Sequence, residues 1–506
     1  MARWRTKVGL ASLVVVGQLF FASAFLVSAS APSSSTSLSP DQPTWWAKYQ
    51  ALAANGSSGG CKLTAALTVG SNIDVSNECA PQSETYITVN PSRPQVLASG
   101  ANEIFRLPMR GYFSSDGGAS WGGVDLPLPP PLSGTNDTRF GSDPTLAFDT
   151  RGNLFYGYFV VFFGNGSGVN GTEMAVARST DGGKTWPQVS YFSFDTGANH
   201  FNDKPMITVD TNPASPFRDN VYIAWDAASG GSTSGGIRVA RSSDHGKTFT
   251  ISRADNPNGP GKAIGAVPFV GPLGQLYMAW NDYAAKAITF NRSIDAGSSW
   301  GQPVVIAHQS LGFQAVIPAQ SFRGALVYPA CDADRSTSAT RGRLTCSWMD
   351  GSGGNTDILA ATSDSSGSRW TSSQPITDRL PGVDRFNHWL SVDPVTGAVT
   401  ASFYDTRNDT TGARYMTDVY FARSVDGGSS WEPNIRVTNE SSNEHDCNGL
   451  FPCPAIDYGN QYGDYEGIVS LNGVSHPIWT DSRRNQQTAS GCSSGLMEET
   501  FTAAIS

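Results

Sequence analysis

ARSTDGGKTW, Ala177 to Trp186, is the stretch that decides the fold, because it returns along the chain in altered spellings. Ser114 to Trp121 is the first copy and Ser179 to Trp186 the second. The third, Ser242 to Phe249, ends in phenylalanine; Ser293 to Trp300 follows, and Ser363 to Trp370 carries Ser365 where the others have aspartate. Ser424 to Trp431 completes six. The shared pattern is Ser-x-Asp-x-Gly-x-x-Trp, and its physics is local. An aspartate accepts backbone N–H groups across a tight turn, glycine takes a positive φ without steric cost, and tryptophan wedges between strands.

Two strand-like runs precede each turn, as in DPTLAFDTRGNLFYGY from Asp143 and NHWLSVDPVTGAVTASFYD from Asn387. Such pairs give seven units, starting near Glu84, Asp143, Asp203, Ala263, Val327, Asn387 and Asp464. No segment keeps a long helical period, so the chain reads as all-β. Units of roughly sixty residues, each with several short strands, are what a β-propeller blade of four antiparallel strands needs. Seven blades are favoured, with six the alternative. NIDVSN, Asn72 to Asn77, is placed to supply the outer strand of the last blade and close the ring.

The chain opens with Arg3, Arg5 and Lys7, runs apolar from Val8 to Val27, and reaches the small residues Ser28 to Ala31. This is the pattern of a secretory signal peptide over residues 1–31, an uncleaved anchor being the other reading. Residues 32–64 read as a flexible leader and 65–506 as the propeller. Export agrees with seven cysteines in a chain without a C-x-x-C motif. Cys331 with Cys346, and Cys447 with Cys453, are expected as local disulfides, leaving Cys61, Cys79 and Cys492 for a third pair and one free thiol. The formal charge of −9 becomes more negative when the three basic leader residues are removed. An acidic surface without a basic cluster argues against nucleic acid as a partner, and nothing after the leader is apolar enough to suggest a membrane.

If the repeated turn joins third and fourth strands, it marks one rim. The starts of first strands and the ends of second strands then gather at the opposite, axial mouth. Glu84, Asp143, Asp203, Lys204 and Asp464 begin first strands. Trp225-Asp226, Trp280-Asn-Asp282, Trp348-Met-Asp350, Tyr404-Asp405-Thr-Arg407 and Trp479-Thr-Asp481-Ser-Arg483 end second strands. Carboxylates, aromatics and a few cations at a propeller mouth suit a sugar. The plain alternative is that each Asp caps its own turn and each Trp packs between blades. Departures from the repeat, namely Arg407, Arg483, Lys204 and Tyr465, are therefore the better functional candidates.

The Ser-x-Asp-x-Gly-x-x-Trp turn is the Asp-box, and from about Glu84 onward the chain resembles the sialidase superfamily of Asp-box (BNR-repeat) propellers. The resemblance implies that the boxes lie on the face away from the active site. It also implies a tyrosine nucleophile activated by glutamate, an aspartate acid/base and an arginine clamp for the substrate carboxylate. GDYEGIVSLNG, Gly463 to Gly473, resembles the family's tyrosine-bearing strand, which makes Tyr465 the nucleophile candidate. Arg407 and Arg483 match two of the clamp, and FRLP, Phe105 to Pro108, imitates the arginine motif at Arg106, although it lies only a few residues before the first box. No glutamate occurs between Glu173 and Glu432, where the family's activating glutamate would fall, which leaves Glu84 to reach in across the mouth.

Three functions follow. The first is a secreted sialidase-like glycoside hydrolase, an exo-α-sialidase in its narrowest form, with Tyr465, Asp143, Asp203 and Glu84 as catalytic candidates. Arg407, Arg483, Arg106, Lys204, Asp405 and Asp481 would then bind the substrate. The second is a non-catalytic propeller binding a glycan, glycoconjugate or protein, and the third a structural module whose acidic rim holds calcium. No other cofactor is expected.

Overall fold

The computed structural model describes residues 67–78, 81–104, 106–164, 168–196, 201–228, 236–255, 262–352, 354–445, 462–483 and 498–506. The signal segment, the leader and the cysteines other than Cys331 and Cys346 lie outside the described residues. Blade 1 is Gln82–Val89, Leu97–Glu103, Arg110–Ser114 and Gly122–Asp125, each strand antiparallel to the next. The first strands of blades 2 to 6 are Thr138–Phe148, Phe201–Val209, Ala263–Val270, Pro329–Ala333 and Arg385–Val392. Seven four-stranded sheets result, with no helix among the described residues. The blade count is seven. A separate two-stranded hairpin, Gln314–Ile317 with Gln320–Leu326, is inserted between blades 4 and 5.

Blade 7 takes Gly467–Leu471, Val474–Asp481 and Glu499–Thr502 from one end of the chain and Ile73–Asp74 from the other. Ile73 pairs with Thr502 and Asp74 with Phe501, so the NIDVSN segment closes the ring as expected. Cys331 faces Cys346 across the first two strands of blade 5, and the expected disulfide is formed there.

Packing between blades explains the composition of the strands. The first strand Arg385–Val392 is buried throughout, because it is covered on both sides by neighbouring blades. The second-strand tryptophans Trp225, Trp348 and Trp479 are fully buried. A side chain of that size excludes water from an interblade wedge that smaller residues would leave open.

The Asp-box turns behave as read. Asp181 accepts from Lys184 N and Thr185 N at 3.0 Å each, and the Ser179 hydroxyl accepts from Gly183 N at 2.9 Å. Gly183 has φ +98, and every box glycine at this position has a positive φ. In the fifth box Ser365 Oγ takes over the acceptor role, receiving Arg369 N at 2.9 Å. Because Val89 pairs with Leu97 and Leu97 with Ser114, the box lies at the Val89 end of the blade, and Glu84 marks the other end.

At that other end, first strands are interrupted. The register shifts after Ser83, Ser142, Asp203, Ile264 and Phe386, a bulge in each of five blades. The residue that follows has a left-handed backbone in every case: Glu84 (φ +52), Asp143 (+59), Lys204 (+53), Gly265 (+73) and Asn387 (+43). For residues with a Cβ this conformation is costly, and bulges of this kind re-aim side chains. At the axial mouth, four residues with a Cβ carry this cost.

Candidate active site

Three of these left-handed residues, Glu84, Asp143 and Lys204, share one cluster. The Lys204 ammonium lies 2.5 Å from Asp464 Oδ2, 3.2 Å from Asp143 Oδ2 and 3.4 Å from Glu84 Oε1. Asn102, on the second strand of blade 1, donates to Glu84 Oε2 at 2.5 Å and to Asp143 Oδ1 at 3.2 Å, and its own oxygen receives Asp143 N at 2.6 Å. Gly463 is required beside this cluster, since a Cβ there would meet Glu84 Cγ at 2.3 Å.

The inserted hairpin completes the mouth. Arg323 Nε donates to Asp464 Oδ1 at 2.7 Å, and its terminal nitrogen meets Asp464 Oδ2 and, at 3.5 Å, Glu84 Oε1. Gln320 donates to Gly463 O at 3.0 Å, fastening the same hairpin to the start of blade 7. A cavity of about 490 Å³ opens beside the cluster, lined among others by Glu84, Asp143, Asp203, Lys204, Arg106 and Arg323. Arg106 reaches it from the loop after the second strand of blade 1, where it also pairs with Glu78 at 2.8 Å and Asp125 at 3.0 Å.

The charges are divided unequally. Burial holds the Glu84 carboxyl well above its ordinary range, and Asp143 adds to the effect while Lys204 opposes it. Burial pushes Asp203 up to about 7 against the pull of Lys204. Asp143 goes the other way: burial is outweighed by Lys204 and by hydrogen bonds from Glu84, Ser142 and Asn102, so it stays ionised. Asp464 is likewise held low, by Lys204 and Arg323 against burial. Lys204 itself remains protonated because its carboxylates outweigh its burial. Glu84 and Asp203 each share a hydrogen bond with Asp143. The arrangement thus sets neutral acids beside an ionised carboxylate on the wall of a cavity, which is what acid/base work on a glycosidic bond requires.

The other sequence candidates lie elsewhere. Tyr465 is fully buried; its hydroxyl donates to Pro144 O at 3.1 Å, and burial raises the phenol well above its ordinary value. Glu466 points away from it, receiving Tyr404 Oη at 2.6 Å and pairing with the Thr85 hydroxyl. Arg407 stacks 4.0 Å over the Tyr420 ring and binds Asp405 at 2.7 Å and Asp378 at 2.9 Å. Arg483 stacks 4.7 Å over Phe501 and binds Asp481 at 2.6 Å. Each Asp-x-Arg pair therefore closes its own blade's turn, and neither arginine joins Tyr465. Asn102 and Arg323 were not singled out by sequence. Length does not mark the hairpin carrying Arg323, since the interval from Trp431 to Asp464 is longer than that from Trp300 to Val327.

The molecule is a seven-bladed Asp-box propeller with a mixed acid and base mouth. No family model matches the chain, and no curated protein matches it. Among solved structures it is similar to the leech intramolecular trans-sialidase, at 14% identity over 71% of this chain and 70% of that one, with a TM-score of 0.48. It is also similar to the intramolecular trans-sialidase of Ruminococcus gnavus (13% identity, 70% and 96% covered, TM-score 0.47). The NanB sialidase of Streptococcus pneumoniae is a third (10%, 69% and 68%, TM-score 0.45). These likenesses concern the fold.

Proposed function

We propose that the chain is a secreted glycoside hydrolase acting on a glycan terminus seated in the axial mouth. Asp203 donates a proton to the leaving oxygen as the bond from the anomeric carbon to that oxygen breaks, and ionised Asp143 supports the positive charge that develops at the sugar. Water then adds to the anomeric carbon, and its proton restores the acid. The observation that carries the reading is the pairing of a carboxyl pushed up to about 7 with an ionised carboxylate on the wall of one cavity. Arg106, Lys204 and Arg323 line the same space, so α-sialosides and other acidic sugars belong among the substrates to be tried. A route through Tyr465 draws no support from its buried, carbonyl-bonded hydroxyl. The basic-apolar-small leader and the Cys331–Cys346 disulfide support export.

The test is hydrolysis of a panel of fluorogenic glycosides, α-sialosides included, by the purified chain. Asp203→Asn and Asp143→Asn are each expected to lower kcat by about 10²-fold or more. A second reading, a non-catalytic glycan-binding propeller, is favoured by one feature: Lys204 and Arg323 are already paired with the ionised Asp143 and Asp464. Binding of a glycan without turnover of any glycoside would establish that reading and remove the first.

A further inference from the structure

The residue paired with the last position before each first-strand bulge occupies the same rung in every blade that has one. These residues are Asn102, Phe159, Asp226, Asn281 and Tyr404. Most have a clear task. Asn102 ties Glu84 to Asp143, Asn281 donates to Gly312 O and Val327 O at 3.0 Å each, and Tyr404 donates to Glu466. Phe159 lines the mouth cavity. Asp226 differs: it is 1% exposed, and neither carboxyl oxygen has a hydrogen-bond partner among the described residues.

Asp226 also does not do what the second-strand aspartates of other blades do. Asp282 receives Ala285 N at 3.0 Å, Asp350 receives Ser310 N at 2.9 Å, and Asp405 receives Arg407 N at 2.7 Å. Those aspartates stand one position later in their blades, at the place held here by Ala227, the partner of Asn202. Asp226 is thus no turn cap. Its rung partner is Asp203, which lines the mouth, and residues directly opposite in an antiparallel ladder send their side chains to the same face, with Cβ atoms roughly 5 Å apart. Two carboxyls side by side, one of them sealed from water and unbonded, cannot both ionise at low cost.

We propose that Asp226 is a positioning residue for the mouth acid: sealed from water on the rung opposite Asp203, it couples to that carboxyl so that the two do not ionise together. The groups facing this pair are Lys204 on the same strand as Asp203, Asp143 from blade 2, Tyr283 from blade 4, Tyr328 from blade 5 and Asp464 from the start of blade 7. Lys204 is committed to Asp464, Asp143 and Glu84, and is therefore not a full counter-charge for Asp226. The part played in turnover rests on the hydrolase reading; the coupling of the two carboxyls does not.

The experiment is a carboxyl-carbon NMR titration of the purified chain carrying ¹³Cγ-labelled aspartate, in wild type, Asp226→Asn and Asp203→Asn. Asparagine already stands at this rung in blades 1 and 4, so the fold is expected to accept it. In wild type, Asp203 and Asp226 are expected to titrate together in two separated steps that belong to the pair. In Asp226→Asn, the Asp203 midpoint is expected to fall by about one unit, a tenfold loss of proton affinity, or more. An unmoved Asp203 midpoint would overturn the proposal. So would an Asp226 resonance that is fully ionised at pH 7, or one that shifts on addition of calcium. On any glycoside that wild type hydrolyses, Asp226→Asn should move the alkaline limb of the kcat profile down by the same amount. If no glycoside is turned over, the hydrolase reading falls while the titration still decides the dyad.

Discussion

At Lys204 the ionised Asp143 and Asp464 and the Glu84 carboxyl converge on one buried ammonium group, with Asp464 nearest at 2.5 Å. Removing one member of such a cluster leaves the rest without compensation, and this costs more than the pair is worth in isolation. Lys204→Met is therefore expected to destabilise the chain by about 3–5 kcal/mol, read as a lower urea midpoint with an unchanged slope. Adding Asp464→Asn to it should recover part of the loss, because one of the stranded charges is gone. A double variant no more stable than the single would show that the cluster is not held by charge. The same residue shows what was legible at this scale. Glu84, Asp143, Asp203 and Lys204 could be assigned to the mouth because the sequence pattern puts each near the start of a first strand; in the fold they sit at the bulge within it. Asp226 belongs to the mouth by the same pattern, but nothing in the sequence sets it apart from the turn-capping aspartates, because AWDA and AWNDY look alike until the ladder shows them one rung apart. Nor does anything in the spelling of Glu84 or Asp143 announce a left-handed backbone.

The Asp-box and the inserted hairpin are elements of opposite kinds. The box is repeated, local and far from the mouth, so its disruption should cost stability alone. Asp181→Ala is expected to lose about 1–2 kcal/mol, since two backbone N–H groups and two hydroxyls lose their acceptor. Turnover on any accepted glycoside should be unchanged; a matching loss of kcat would mean that the box lies close to the chemistry after all. Ser365→Asp, which restores the consensus in the fifth box, should raise the melting temperature. The hairpin is the one two-stranded sheet among the described residues and carries Arg323 to Asp464. It was illegible because it belongs to no repeat, and repetition was the whole of the sequence signal. The Asp-x-Arg pairs failed for the converse reason: Arg407 and Arg483 looked exceptional in sequence, yet each stacks on an aromatic ring of its own blade.

Over the whole molecule, buried acids make the fold sensitive to alkali. Burial pushes Glu103 and Glu444 up to about 7 and Glu466 up to about 8, beside Asp203 at about 7. A carboxyl raised on folding binds its proton more tightly in the native state. Its contribution is present at low pH and is lost as pH climbs from the unfolded value through the folded one, at about 1.4 kcal/mol per pH unit for each group. Asp143 and Asp464, held low, lose their contribution as pH falls. The melting temperature should therefore peak at mildly acidic pH and fall between pH 5 and 8. Glu466→Gln keeps an acceptor for Tyr404 and cannot ionise, so it should melt above wild type at pH 8.5 and no higher at pH 5. Equal pH profiles for the two proteins would refute the assignment. The blade count and the closing strand were legible at this scale because seven units and NIDVSN stand in plain order in the sequence.

The last blade joins Ser76 to Glu499 across 423 residues, and this fixes a timetable. Ile73–Asp74 is among the first segments of the propeller to be synthesised, and its partner Glu499–Thr502 among the last. Until the final residues arrive, the early strand must wait unoccupied and the ring stays open. The ring is thereby completed by contacts of very large sequence separation, which makes its closure a late step in folding.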